Sequence, residues 1–166
     1  YLAALEKKGI PAFCPRARRY FDNDEVRLMI ACFAIAFSYY GTGRSQVISG
    51  DLVELTAYVD DCIKALADHP SGKLVAKPAN EFAKAITALK EGDSLDFRPA
   101  DYLFRLLAFE PFKSWVKVES CARNLAVLSQ LLNTFQNYYH YTVVTFKNRE
   151  TLRFHLFESF LRLLHG

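Results

Sequence analysis

The chain has 166 residues, is 51% hydrophobic and 14% aromatic, and carries a formal net charge of +3. Those proportions exclude a disordered tail and provide for one substantial core. No apolar run is long enough to span a bilayer, and no basic-then-apolar leader segment is present.

Charge is unevenly spread. Residues 1–50 hold seven Lys/Arg against four Asp/Glu, residues 51–110 seven against eleven, and residues 111–166 seven against three. The ends are basic and the middle acidic, a distribution compatible with nucleic acid at one end. Cys14, Cys32, Cys62 and Cys121 fall at no metal-ligand spacing. They read as buried thiols in a reducing compartment, which points to a cytoplasmic protein.

Residues 1–8 read as the tail of a helix, with Leu2 and Leu5 three apart, Lys7 and Lys8 near its end and Gly9 just beyond. Tyr1 stands inside that pattern, so the chain reads as an internal piece of a longer polypeptide. Pro11 stops helical continuation, and Ile10–Cys14 suits a short strand. Asp22 and Glu25 have capping-box spacing and open a helix to about Tyr40, whose Val26, Ile30, Phe33, Phe37 and Tyr40 stripe, with Leu28, Ala31 and Ile35 beside it, demands burial on most sides.

Residues 41–50 read as a loop. Asp51 and Glu54 open a second helix to about Asp68, with Leu55, Val59, Ile63 and Leu66 facing inward. Residues 69–77, with Pro70 and Gly72, read as a loop, and Pro78 as the first turn of a third helix closed by Gly92. Pro99 opens a fourth, Phe112 and Trp115 cover an adjoining core, and a long amphipathic helix runs from about Val118 to Tyr138. In the loop near 139–148, the aromatic and β-branched Tyr138 to Phe146 suits a packed loop or a short strand equally. Asn148 and Thr151 introduce a last helix carrying Leu152, Leu156 and Phe160. The expected fold class is all-α from residue 22 onward, with residues 1–21 as the edge of a neighbouring α/β domain.

Chemistry is sparse. No phosphate loop or dinucleotide fingerprint occurs, and Gly41-Thr42-Gly43-Arg44-Ser45 lacks the strand and lysine that would make it one. His69, His140, His155 and His165 have no metal spacing, and Asp60 and Asp61 diverge on their helix. Two basic groups stand out. Arg16, Arg18 and Arg19, interleaved with Tyr20 and Phe21, suit phosphate neutralisation and base stacking. Lys147, Arg149 and Arg153 near the last helix read more plainly as a solvated face.

The Leu5-(x)3-Gly9-Ile10-Pro11 segment, followed by Tyr20-Phe21-(x)3-Glu25-Val26, resembles a stretch of the UvrD/Rep/PcrA-like superfamily 1 DNA helicases. Arg123-Asn124-Leu125, then Phe135-(x)2-Tyr138, then Phe154 to Leu164, resembles the segment these helicases carry just before motif V. The resemblance implies that residues 1–21 edge the second RecA-like motor domain and that residues 22–166 form the inserted helical 2B domain, an accessory to DNA engagement and control of unwinding. It implies as partners DNA at a single-strand/duplex junction, the remaining helicase domains and a repair protein, with no membrane. It places ATP, magnesium and hydrolysis in the parent protein, leaving this stretch without catalytic, cofactor or metal residues of its own. Arg16, Arg18, Arg19, Lys147 and Arg149 become candidates for DNA or interdomain contact. The sequence departs from the family in lacking an Arg-Gly-Ile-Gly-type hairpin, which puts the usual duplex contact in doubt. The alternative reading is a helical protein–protein interaction module.

Overall fold

The computed structural model describes residues 18–40 and 53–165. The expected helix tail and strand before residue 18, the loop at 41–50 and the cap at Asp51 lie outside the described residues. Within them the chain is predominantly helical: α1 (Arg18–Phe21), α2 (Asp24–Ala36), α3 (Val53–Asp68), α4 (Gly72–Thr87), α5 (Pro99–Leu106), α6 (Phe112–Trp115), α7 (Glu119–Tyr139) and α8 (Arg149–His165).

Helix α2 is the axis of the packing. Eleven of its thirteen residues are buried, as a helix apolar around most of its circumference requires. It packs against α3, α4 and α7, while α5 lies on α7 and α8 on α3. Aromatic side chains fill the space between: Phe33 edges onto Tyr102 at 5.0 Å and Phe37 onto Phe97 at 5.2 Å.

Both ends of α2 differ from expectation. Asn23, not Asp22, occupies the cap position, and no side chain caps the first turn. The Asn23 amide instead donates back to the Arg19 and Tyr20 carbonyls at 3.1 and 2.9 Å, closing α1. Glu25 turns inward and is buried. At the other end the helix stops at Ala36, short of Tyr40. Ser38 takes φ 53°, and the Tyr39 N–H donates to the Ala34 carbonyl at 2.8 Å. This left-handed closure normally signals itself with glycine, and serine hides it from a sequence reading.

The loop expected over 69–77 shrinks to three residues, because α4 begins at Gly72 and Pro78 lies inside it. A Cβ on Gly72 would stand 1.9 Å from the Leu66 carbonyl oxygen, so only glycine allows α3 and α4 to meet this tightly. Pro78 denies the Leu74 carbonyl its helical partner. Leu74 on that turn is exposed. Val75, Ala79 and Ile86 form the buried stripe that holds the helix despite its proline.

A strand pair also interrupts the all-helical expectation. β1 (Ser94–Asp96) and β2 (Val143–Thr145) run antiparallel, with Leu95 opposite Val144. Phe97 extends the ladder by donating to Thr142 at 2.9 Å. Three residues per strand leave too little alternation for β1 to be seen in the sequence, while β2 falls where strand and loop were equally expected. No helix among the described residues is long and apolar enough to cross a membrane.

Candidate nucleic-acid interface

The five basic candidates separate on folding. Arg16 lies outside the described residues, and Arg18 begins α1. Arg19 is exposed on α1, at the end of the molecule where α1 and α2 meet α7. Lys147 and Arg149 sit on the turn from β2 into α8. Lys147 is exposed, 3.8 Å from Glu91.

Arg149 is committed to structure. Its Nη1 donates to the Ile86 carbonyl at 3.2 Å, and the guanidinium lies 4.7 Å from the centre of the Phe146 ring. Arg153, one helical turn on, is buried rather than solvated. It donates to the Phe37 carbonyl at 3.5 Å and pairs with Glu150. The two arginines thus reach the carbonyl ends of α4 and α2, where partial negative charge accumulates. Together with Ser38, Thr87 and Glu150 they line a cavity of about 220 Å³. The spacing of four between Arg149 and Arg153 places them on one face, but only tertiary packing shows that this face meets two helix ends.

A second polar node was missed by reading each segment alone. The Tyr20 hydroxyl donates to the Asn124 carbonyl at 2.9 Å, and the Asn124 side-chain amide donates to Glu25 Oε1 at 2.6 Å. The Tyr58 hydroxyl donates to the Phe21 carbonyl at 2.8 Å. Burial and the nearby Glu25 carboxylate push the Tyr20 hydroxyl well above its ordinary range, and the same two causes raise the Cys121 thiol. Residues about one hundred positions apart, from the two segments that carry the helicase resemblance, form one hydrogen-bonded unit.

Thiolate chemistry is suppressed in the core. Desolvation pushes Cys62 up to about 12 and Cys32 further still. Among the described residues no three His, Cys, Asp or Glu side chains converge as a metal site would need. What remains is a helical scaffold with a small strand pair, a partly buried polar node joining α1 and α2 to α7, and basic and aromatic groups on its surface. No protein-family model, curated protein or solved structure matches the chain.

Proposed function

We propose that the chain is the helical accessory domain, of the 2B type, of an intracellular ATP-dependent DNA helicase, with residues up to about 21 at the edge of a RecA-like motor. In this reading it contributes to engagement of a single-strand/duplex junction and to control of unwinding. Binding and hydrolysis of ATP with magnesium belong to the other helicase domains. The observation that supports the reading is the node of Tyr20, Glu25 and Asn124. Its members come from both ends of the bracketing pattern, so the pattern has a physical reason to occur as a pair. Arg19, exposed beside that node, suits either DNA phosphate or an acidic group of the motor, and Arg16 and Arg18 precede it in sequence.

The test is the reading frame of the parent gene together with a binding measurement. The frame should encode a phosphate loop upstream and a motif V-like segment downstream. A forked duplex should bind in a salt-dependent way that weakens on changing Arg16, Arg18 and Arg19 to Ala. A frame with neither motif overturns the proposal.

A protein-interaction role has its own support in the exposed Phe104, Phe109, Val116 and Val118, crowded into one stretch of α5 to α7. Capture of a protein partner by the native chain, lost on changing Phe104 and Phe109 to Ser, with no DNA binding at low salt, would favour it.

A further inference from the structure

From the end of α5 to the start of α7 the chain turns continuously, and its outer side carries apolar groups that the core does not use. The backbone N–H groups of Phe109, Lys113, Val116 and Ala122 donate to the Leu106, Phe109, Phe112 and Val118 carbonyls at 2.9 to 3.1 Å. Beneath these turns Leu103, Leu106 and Phe112 are buried. Trp115 meets Phe112 edge-on at 5.8 Å and His69 edge-on at 5.4 Å. The outer side chains therefore stand on a packed base. Phe104 is 55% exposed and Val118 48%, with Phe109 and Val116 each more than a third exposed.

The charges on this stretch are one-sided. Residues 104–118 hold Arg105, Lys113 and Lys117 against Glu110 alone. All three cations are exposed, and among the described residues none of them has an ion-pair partner. Glu110 is spent on its own turn, where its carboxylate accepts from the Ser114 N–H at 3.2 Å and from Ser114 Oγ at 2.9 Å. The flanking carboxylates are occupied as well. Glu119 pairs with Arg123 at 2.8 Å, and Asp101 lies in the first turn of α5, where the helix dipole favours it.

We propose that this face docks an acidic amphipathic helix of a protein partner, whose apolar row covers Phe104, Phe109 and Val116 while its carboxylates meet Arg105, Lys113 and Lys117. The proposal rests on the protein-interaction reading and names the chemistry of the partner. The apolar and basic halves of the face select together. Aliphatic Val116 and Val118 offer a nucleobase no ring to stack on and gain only by burial against apolar side chains. Covering a cation without a partner is costly, so a neutral apolar surface is disfavoured and one bearing carboxylates is matched. Phe109, Lys113 and Val116 follow at intervals of four and three, the interleaving that a partner helix mirrors with anchors at i, i+3, i+4 and i+7. An anionic lipid surface would draw on the same cations, but three fall short of the clusters of about four to eight that mark its recognition.

The experiment measures fluorescence anisotropy with a labelled peptide carrying Leu and Phe at i, i+3, i+4 and i+7 and Glu between them, and with a counterpart in which every Glu is replaced by Gln. The acidic peptide is expected to bind about three- to one-hundred-fold tighter, the combined effect of three exposed ion pairs. Phe104→Ala should weaken both peptides by about five-fold or more. Lys113→Glu with Lys117→Glu should reverse the preference, so that a third peptide with Lys in place of Glu binds the double variant better than the wild type. The exposure of these side chains leaves the fold untouched, which unchanged circular dichroism would verify. Equal binding of the acidic and Gln peptides, or no exchange of preference in the double variant, overturns the proposal. Binding of neither peptide overturns it too; loss of self-association in Phe104→Ala would then assign the face to a second copy, and loss of binding to anionic vesicles would assign it to lipid. The protein-interaction reading is decided separately, by whether a captured partner is lost with Phe104 and Phe109.

Discussion

Replacing Asn124 with alanine removes the amide that donates to Glu25 Oε1 at 2.6 Å and leaves its backbone carbonyl in place for Tyr20. Glu25 is only 6% exposed, so water has little access to the oxygen left behind. Hydrogen bonds to charged groups contribute about 1.5–3 kcal/mol, and a buried acceptor deprived of its donor retains its desolvation cost. The Cys121 thiol, which also interacts with this carboxylate, recovers part of the loss. The expected destabilisation is about 2 kcal/mol, or a fall in Tm of about 4–8 °C for a chain of this size. Urea denaturation of wild type, Asn124→Ala, Glu25→Gln and the double variant isolates the pairwise energy. A coupling of at least about 1 kcal/mol is expected because each side chain is the other's partner across the interface of α2 and α7. Loss of less than about 0.5 kcal/mol in Asn124→Ala, with additive singles, would refute the node as a structural link.

Two helix-punctuating residues should respond in opposite directions. Pro78→Ala restores a hydrogen bond to the Leu74 carbonyl and is expected to stabilise the chain by about 1–2 kcal/mol, after allowance for a freer unfolded state. Gly72→Ala drives a methyl into the Leu66 carbonyl and should cost about 3 kcal/mol or more. Chemical denaturation reads both, and a destabilised Pro78→Ala would return Pro78 to the start of the helix. The buried thiols and phenols also set an alkaline limit. Cys62 rises from 9.0 to about 12 on folding, and Cys32, Tyr58 and Tyr102 rise as well, all chiefly through desolvation. Unfolded chains therefore release these protons first, so the stabilisation is complete below about pH 9 and is lost as pH rises toward the folded values. Stability should fall by about 1.4 kcal/mol per pH unit for each group so affected, less steeply in Cys62→Ala. A flat profile from about pH 9 to 10.5 would contradict that burial.

Periodicity alone determined the helical class and the inward faces of α2, α3, α7 and α8, because a 3.6-residue apolar repeat has one stable use in a water-soluble core. A family resemblance, and not periodicity, named Tyr20-Phe21-(x)3-Glu25 together with Arg123-Asn124, as pattern without contact. Local signals misled where one residue type serves two purposes. Gly72 and Pro78 read as punctuation, yet a close backbone approach and an exposed turn place both inside α4. Ser38 closes α2 in the geometry that glycine usually announces. Arg153 read as solvated until the carbonyl end of α2 was brought over it. Three-residue β1 carried too little pattern to be seen before β2 lay beside it. Three contacts depend on a group distant in sequence, Phe37 with Arg153, Asn124 with Glu25 and Val144 beside Leu95, whereas Gly72 meets the nearby Leu66 and Ser38 closes its own helix. Local propensity is worth tenths of a kcal/mol to about one per residue, whereas an unsatisfied buried group or a backbone clash costs several times that, so tertiary contact prevailed.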